Sequence, residues 1–150
     1  MPLTVQEILD DKAVQGGRTH GVAPAAPVRE AVATMAREEI GSVVVMEGEK
    51  LAGILTLREV LRGLDALGPG LLDAPVREVM NPAPAIVHPE DSADGLRALM
   101  TERHVSHATV LKEGRLVGIV SFHDIARSAV KDVAFENRLL KQYIKNWPQS

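Results

Sequence analysis

Ser121 and Asp124 stand three residues apart at the start of a helical stretch, and Thr56 and Glu59 repeat the arrangement 65 residues earlier. A carboxylate held in the first turn of a helix can accept two hydrogen bonds from a vicinal diol such as that of a ribose. The hydroxyl three residues before it can donate or accept at the same ligand. The pairing is equally a capping-box pattern, in which hydroxyl and carboxylate satisfy free N–H groups of their own helix. Both roles can coexist. Glu59 is one methylene longer than Asp124, a shift of about 1.5 Å for its carboxylate. The first site is therefore expected to be weaker, altered in ligand or empty.

The elements that carry these residues are duplicated. The stretch from Val22 to Leu61 returns from Val87 to Ala126 with no gap: Met35 meets Met100, Leu51 meets Leu116, and Gly53 meets Gly118. Each copy has an apolar face that it cannot bury alone, which implies a two-fold-like body with a pair of matching clefts. Val28, Ala31, Val32, Met35, Ala36 and Ile40 recur at the spacing of an amphipathic helix. SVVVM (Ser42 to Met46) and LAGIL (Leu51 to Leu55) read as a hairpin, and the stretch from Arg58 to Leu67 returns to helical spacing. In the second copy Asp91 or Ser92 can cap a helix carrying Ala93, Leu96, Leu99 and Met100, and HATVL and LVGIV repeat the strands. Met35 and Met100 read as core.

A short lead-in is duplicated too. VQEIL (Val5 to Leu9) mirrors VREVM (Val76 to Met80), but at an offset of 71, so the first copy has six more residues between lead-in and first strand. A last helix is expected from about His123 to Asn146. Val133, Leu140 and Trp147, with Val130, Asn137 and Ile144, form a heptad seam along it. Such a seam points to a homodimer, with Asn137 fixing register or oligomer state; the alternative is that the stripe packs on the chain's own body. The divisions that follow are 4–67 and 76–130 for the two copies, 68–75 for a linker, and 131–150 for a helical extension.

Composition narrows the function. At 150 residues, 45% apolar and 25% charged, the chain has the makeup of an ordinary globular domain. A net charge of −3 and 3% aromatic residues argue against nucleic-acid binding, which favours a basic surface or stacking platforms. The absence of cysteine removes thiolate catalysis and cysteine-based zinc sites. No apolar run approaches the roughly 20 residues of a membrane span, and the N-terminus lacks a signal-peptide pattern. A cytoplasmic protein without a membrane partner is expected.

GIVSFHDI (Gly118 to Ile125) and GILTLREV (Gly53 to Val60) resemble the signature that closes a CBS domain, and VQEIL and VREVM resemble the segment that opens one. From about Thr4 to Val130 the chain is similar to a tandem CBS pair, and its C-terminal helix resembles the tail of small stand-alone bacterial members. The resemblance implies an α+β fold of two βαββα units related by a pseudo-two-fold axis, followed by a long C-terminal helix. It also implies dimerisation and clefts that bind AMP, ADP, ATP or S-adenosylmethionine.

By the same resemblance, the adenine slot falls to Val105, Ser106, His107 and Ala108 in the second copy, and to Ile40, Gly41, Ser42 and Val43 in the first. Ile86, Val87 and His88 would add to the second. Many nucleotide-binding members read arginine-histidine-leucine-proline where this chain has Ser106-His107-Ala108-Thr109. The missing arginine removes a fixed charged fork for phosphate, which argues against tight polyphosphate binding. The remaining cationic candidates are Arg58, His88, His107 and His123. Arg58 reads equally as a solvated helix residue. If His107 and His123 meet a phosphate, binding should strengthen as pH falls through their titration range. The histidine spacing matches no local zinc pattern, so no metal site is assigned. His104 reads as a cation at a helix C-terminus and His20 as solvent-facing.

The expected function is a regulatory module that senses an adenosyl ligand and passes a shape change to an unknown protein target. The alternative is a degenerate pair that acts as a dimerising scaffold without binding nucleotide. No activated nucleophile or carboxylate pair suggests an enzyme, and no cofactor beyond the regulatory ligand is implied.

Overall fold

A computed structural model describes residues 3–131 and 141. Helix α1 (Val5–Val14) begins at Thr4, whose hydroxyl accepts from the Glu7 N–H. In the first copy follow β1 (Gly21–Val22), α2 (Val28–Glu38), β2 (Ser42–Glu47), β3 (Lys50–Thr56) and α3 (Leu57–Leu67). Two 3-10 turns, Gly68–Asp73 and Val76–Glu78, lead to the second copy. This copy comprises β4 (Ile86–Val87), α4 (Ala93–Arg103), β5 (His107–Lys112), β6 (Arg115–Ser121) and α5, helical over residues 122–131. The fold is α+β, two three-stranded sheets with helices.

Each sheet pairs its short first strand parallel to the second and its second antiparallel to the third. Both hairpins shift register at the same point, after Val45 and after Val110. The helix ends match as well. Glu39 and His104 both take the left-handed conformation at φ 54° and close α2 and α4. His104 is thus a backbone cap as well as a residue at a helix C-terminus.

The two copies exchange their lead-ins. Val5 and Ile8 of α1 pack with Val87, Leu96, Met100, Ala108, Val110, Val120 and Ile125, in the core of the second copy. Reciprocally, Leu71 and Val76, from the stretch between the copies, close the core around Val28, Met35, Val43, Val45 and Leu55. Matching backbone bonds fix the exchange: the Val5 N–H donates to Asp91 O at 2.8 Å, and the Val76 N–H to Ala26 O at 2.8 Å. The division 4–67 and 76–130 therefore follows the duplication, whereas the packing units interlock. Between the sheets, Val44, Ile54 and Ile119 form a third apolar cluster.

The exchange explains the signature glycines. A Cβ at Gly53 would lie 2.6 Å from the Asn81 carbonyl oxygen, and one at Gly118 would lie 2.9 Å from Leu9 Cδ2. Asn81 and Ile54 also exchange two backbone hydrogen bonds at 2.8 and 3.0 Å, so the first contact cannot relax without breaking a bridge.

Val130 is exposed. The other seam residues, Val133, Asn137, Leu140, Ile144 and Trp147, lie outside the described residues.

Overpacking costs more where backbone rather than a flexible side chain must move. Gly53→Ala should destabilise by about 2 kcal/mol, and Gly118→Ala by less than about 1 kcal/mol because Leu9 can change rotamer. Urea unfolding of both variants checks the order.

Candidate functional site

The end of each copy's third strand, with the helix that follows, faces loops of the other copy. Ile119, Ser121, Phe122, His123, Asp124 and Arg127 form one wall of a cleft of about 530 Å³. Opposite stand Thr19 and His20, which precede β1, and the stretch Glu39, Ile40, Gly41 and Ser42 before β2. Lys12 and Gln15, with Gly17 and Arg18 beyond the end of α1, close one side. The twin cleft has only about 30 Å³ and is lined by Ile54, Thr56, Arg58, Glu59, Asn81, Pro84, Ala85, Val105, Ser106 and His107. Apart from Asn81, each of these is the 65-residue counterpart of a residue in the large cleft. Ser106 and His107 line both. A separate hollow of about 470 Å³, which shares Glu59 and Asn81 with the twin cleft, lies between α3 and the Glu78–Pro82 stretch and has no residue from the second copy's strands or helices.

Side-chain size distinguishes the twins. Where the small cleft has Ser106 and His107, the large one has Gly41 and Ser42 at the equivalent positions. A Cβ on Gly41 would already lie 3.5 Å from His107 Cε1. The extra residues of the first lead-in are the second difference. They extend α1 past the point where its counterpart stops as a short 3-10 turn, and they bring Lys12 to Asp124.

Asp124 is only 4% exposed. Its Oδ2 accepts from the Ser121 N–H at 2.9 Å and from Lys12 Nζ at 3.0 Å, and its Oδ1 accepts from Arg127 Nη2 at 3.0 Å. Ser121 Oγ accepts from the Asp124 N–H at 3.1 Å, which completes a capping box. Burial alone would raise the Asp124 pKa. The Ser121 N–H and the Lys12 charge outweigh it and hold the carboxyl below its usual range. Lys12 Nζ also donates to Ile119 O at 2.8 Å. On the outer side Arg127 Nε reaches Asp11 at 3.4 Å, and Lys131 Nζ reaches the same carboxylate at 2.6 Å. A chain of alternating charges thus joins the cleft, α1 and α5.

Glu59 closes its own capping box. Its Oε1 accepts from the Thr56 N–H at 2.9 Å and from Thr56 Oγ1 at 2.6 Å. His107 lies between the two carboxylates, its Nδ1 2.9 Å from Ser106 Oγ. Burial first, and the Lys12 charge second, lower its pKa against the opposing pull of Asp124 and Glu59, so the ring is neutral at neutral pH.

The residues assigned from sequence therefore divide. Ser42, His107, Ser121, His123 and Asp124 meet at the large cleft. Thr56, Arg58, Glu59 and Val105 line the small one, which His107 shares. Val43, Val87 and Ala108 line neither: their side chains turn to the opposite sheet face and are core. His88 is exposed, with Nδ1 3.0 Å from Leu111 O, away from both clefts. Beside Asp124 the cleft is lined by Ser106 and His107 of its own copy and also by Ile40, Gly41 and Ser42 of the other. His20 lines the cleft instead of facing open solvent. Lys12, Gln15, Arg18 and Arg127 were not singled out from sequence. The six-residue excess of the first lead-in marked the first three, but its destination depends on the exchange. Among the described residues no three His, Asp or Glu side chains are grouped to hold a metal ion, and no helix is long and apolar enough to cross a membrane.

The CBS domain family matches residues 20–66 and 76–131. The mitochondrial CBS domain-containing protein CBSX3 of Arabidopsis thaliana is 31% identical over 123 residues, which cover 79% of this chain and 60% of that protein. The chain therefore spans less than two thirds of that relative's length. Among solved structures, a CBS-domain containing protein from Agrobacterium tumefaciens is 29% identical, with a TM-score of 0.79 over 86% of this chain and 95% of its own. A Pyrobaculum aerophilum CBS domain protein complexed with AMP shares the fold at 21% identity, with a TM-score of 0.72 over 89% of this chain and 99% of that one. So does a CBS domain pair in complex with 5′-methylthioadenosine and S-adenosylmethionine, at 20% identity and a TM-score of 0.74 over 88% and 99%. With both copies matched in tandem, the chain belongs to the CBS-domain family.

Proposed function

We propose that the chain is a regulatory ligand-binding module that takes an adenosyl ligand, AMP, ADP, ATP or S-adenosylmethionine, in the Asp124 cleft. The observation that carries this reading is the inequality of the twins. The large cleft, about 530 Å³, falls within the roughly 300–1,000 Å³ of small-molecule sites, and the small one, about 30 Å³, holds little more than a water. The adenosyl compounds bound by two fold neighbours support the ligand class. Asp124 and Ser121 supply a ribose-binding edge, and Ile40, Ile119 and Phe122 supply apolar wall. Asp124 opens α5, so a ligand that engages it acts on the helix and on the charge chain reaching Asp11 and Lys131. A ligand shifts that helix only by its differential affinity for the two states. A carboxylate held ionised by two cations is suited to accept hydrogen bonds, not to transfer protons, which favours sensing over catalysis.

The scaffold reading draws on one observation. Leu57, Leu61, Leu64 and Leu67 are all exposed on α3, along one stripe. A second copy of the chain is the proposed occupant, with or without ligand bound. Leu61→Lys with Leu64→Lys should convert a dimer to a monomer in light scattering. An unchanged mass would remove the stripe from the interface.

Calorimetric titration with AMP, ATP and S-adenosylmethionine tests the site. Loss of a charged hydrogen-bond acceptor costs roughly 1.5–3 kcal/mol, so Asp124→Asn should weaken binding at least about tenfold. Gly41→Leu, which fills the cleft without touching the charge chain, should abolish it, and Glu59→Gln should leave it intact. Binding that survives both cleft variants would move the site elsewhere.

The pKa directions set the pH response. His107 takes up its proton at lower pH in the folded chain than in the unfolded one. Stability therefore declines as pH drops below the unfolded value of 6.5. Asp124 acts in a lower window: its contribution is full above 3.8 and is lost as pH falls through its depressed folded value. His107→Gln should flatten the decline in melting temperature between pH 7 and 5. Because burial and the Lys12 charge lower the His107 pKa below 6.5, the ring is neutral at neutral pH, and any phosphate attraction from it is confined to acid pH.

A further inference from the structure

We propose that Lys12 is a built-in counter-ion that the ligand must displace, and that it makes the Asp124 cleft select a ligand with an anionic group beside its diol. The inference rests on the adenosyl reading of the cleft and deepens it: the substrate class is a nucleoside phosphate rather than a neutral nucleoside or a sulfonium. The Asp124 carboxylate offers about four lone-pair positions. Three are taken, by the Ser121 N–H, Lys12 and Arg127. A ribose diol needs two, so one donor has to leave. The Ser121 N–H is fixed in the backbone, and Arg127 is also held by Asp11. Lys12 carries a point charge on a flexible stem and is the donor free to swing.

An evicted ammonium keeps only the neutral Ile119 carbonyl as partner. That loss is offset where the incoming molecule carries its own anion. Arg18 lines the same cleft and has no ion-pair partner among the described residues, so a second cation is in place for that anion. A neutral nucleoside leaves Lys12 stranded. S-adenosylmethionine has a carboxylate at the far end of its methionine, but the sulfonium is the charge beside its ribose and the molecule is net positive, so it adds repulsion from Lys12, Arg18 and Arg127. No counterpart exists at the twin cleft: Ala83 stands 71 residues after Lys12, and no lysine lines that site. A displaceable lysine counter-ion is thus confined to the cleft that received the longer lead-in.

The test is titration of the full chain with AMP, adenosine and S-adenosylmethionine, for wild type, Lys12→Met and Arg18→Gln. Lys12→Met keeps the stem and removes the charge, and circular dichroism confirms its fold. Wild type should bind AMP at least about tenfold more tightly than the other two. In Lys12→Met AMP should weaken while adenosine tightens, because Asp124 is no longer contested, and the ratio should fall toward one. Arg18→Gln should weaken AMP and leave adenosine unchanged. Equal effects of Lys12→Met on all three compounds, or S-adenosylmethionine bound as tightly as AMP by wild type, would overturn the inference.

A pyrophosphate arm separates this idea from the adenosyl reading. If no adenosyl compound binds, but pyrophosphate raises the melting temperature of wild type and not of Lys12→Met, the anion role of Lys12 stands and the adenosyl reading falls. If no adenosyl compound binds, and pyrophosphate has no effect on wild type or an equal effect on both proteins, the counter-ion role is lost as well.

Discussion

The reciprocal exchange of lead-in segments is the constraint on which the rest of this structure depends. Val5 and Ile8 are fully buried in the core of the second copy, and Leu71 and Val76 are buried in that of the first. Each such side chain stabilises by roughly 1.5–3 kcal/mol when taken from water into a core. Neither copy keeps that contribution alone. The exchange also requires a backbone or side chain to cross each sheet at close range, and Gly53 and Gly118 leave the room. The two halves therefore share one folding fate, and their clefts are built from both copies at once.

Symmetry then breaks at a few positions. Six additional residues in the first lead-in lengthen α1 and bring Lys12 to Asp124. Gly41 and Ser42 leave space where Ser106 and His107 occupy it. The two changes act on the same cleft, one opening it and the other placing a charge within it. Exposed ion pairs contribute little. This pair differs because Asp124 is nearly buried and also closes the capping box of α5, so its partners bear on both the cleft and the helix.

Much of the fold was legible in the sequence. Helical spacing on Val28, Ala31 and Met35, the β-branched run at Ser42 to Met46, and the gapless repeat predicted helices and hairpins that the structure contains. Local pattern carries this information because each element buries one face with a set period. The candidate site was legible in part. The hydroxyl–carboxylate spacing pointed to Ser121 with Asp124 and to Thr56 with Glu59, since that chemistry lies within a single turn. Val43, Val87 and Ala108 drew attention through the family's motif positions, but strand alternation turns them to the core. His88 occupies a strand end whose outer side faces solvent.

By itself the sequence determined the α+β duplication, the matched hydroxyl–carboxylate pairs and the inequality of the copies. All three are written in residue type and spacing along one segment. Tertiary structure alone decided which copy completes which cleft, that the cleft beside Asp124 is the large one, and that Lys12 rests on that carboxylate. Those facts depend on a crossing between segments far apart in the chain, Lys12 and Asp124 among them. No local periodicity records such a crossing. The Ser121–Asp124 pairing is a helix cap in this structure, and only the opposing copy turns that cap into one wall of a cleft.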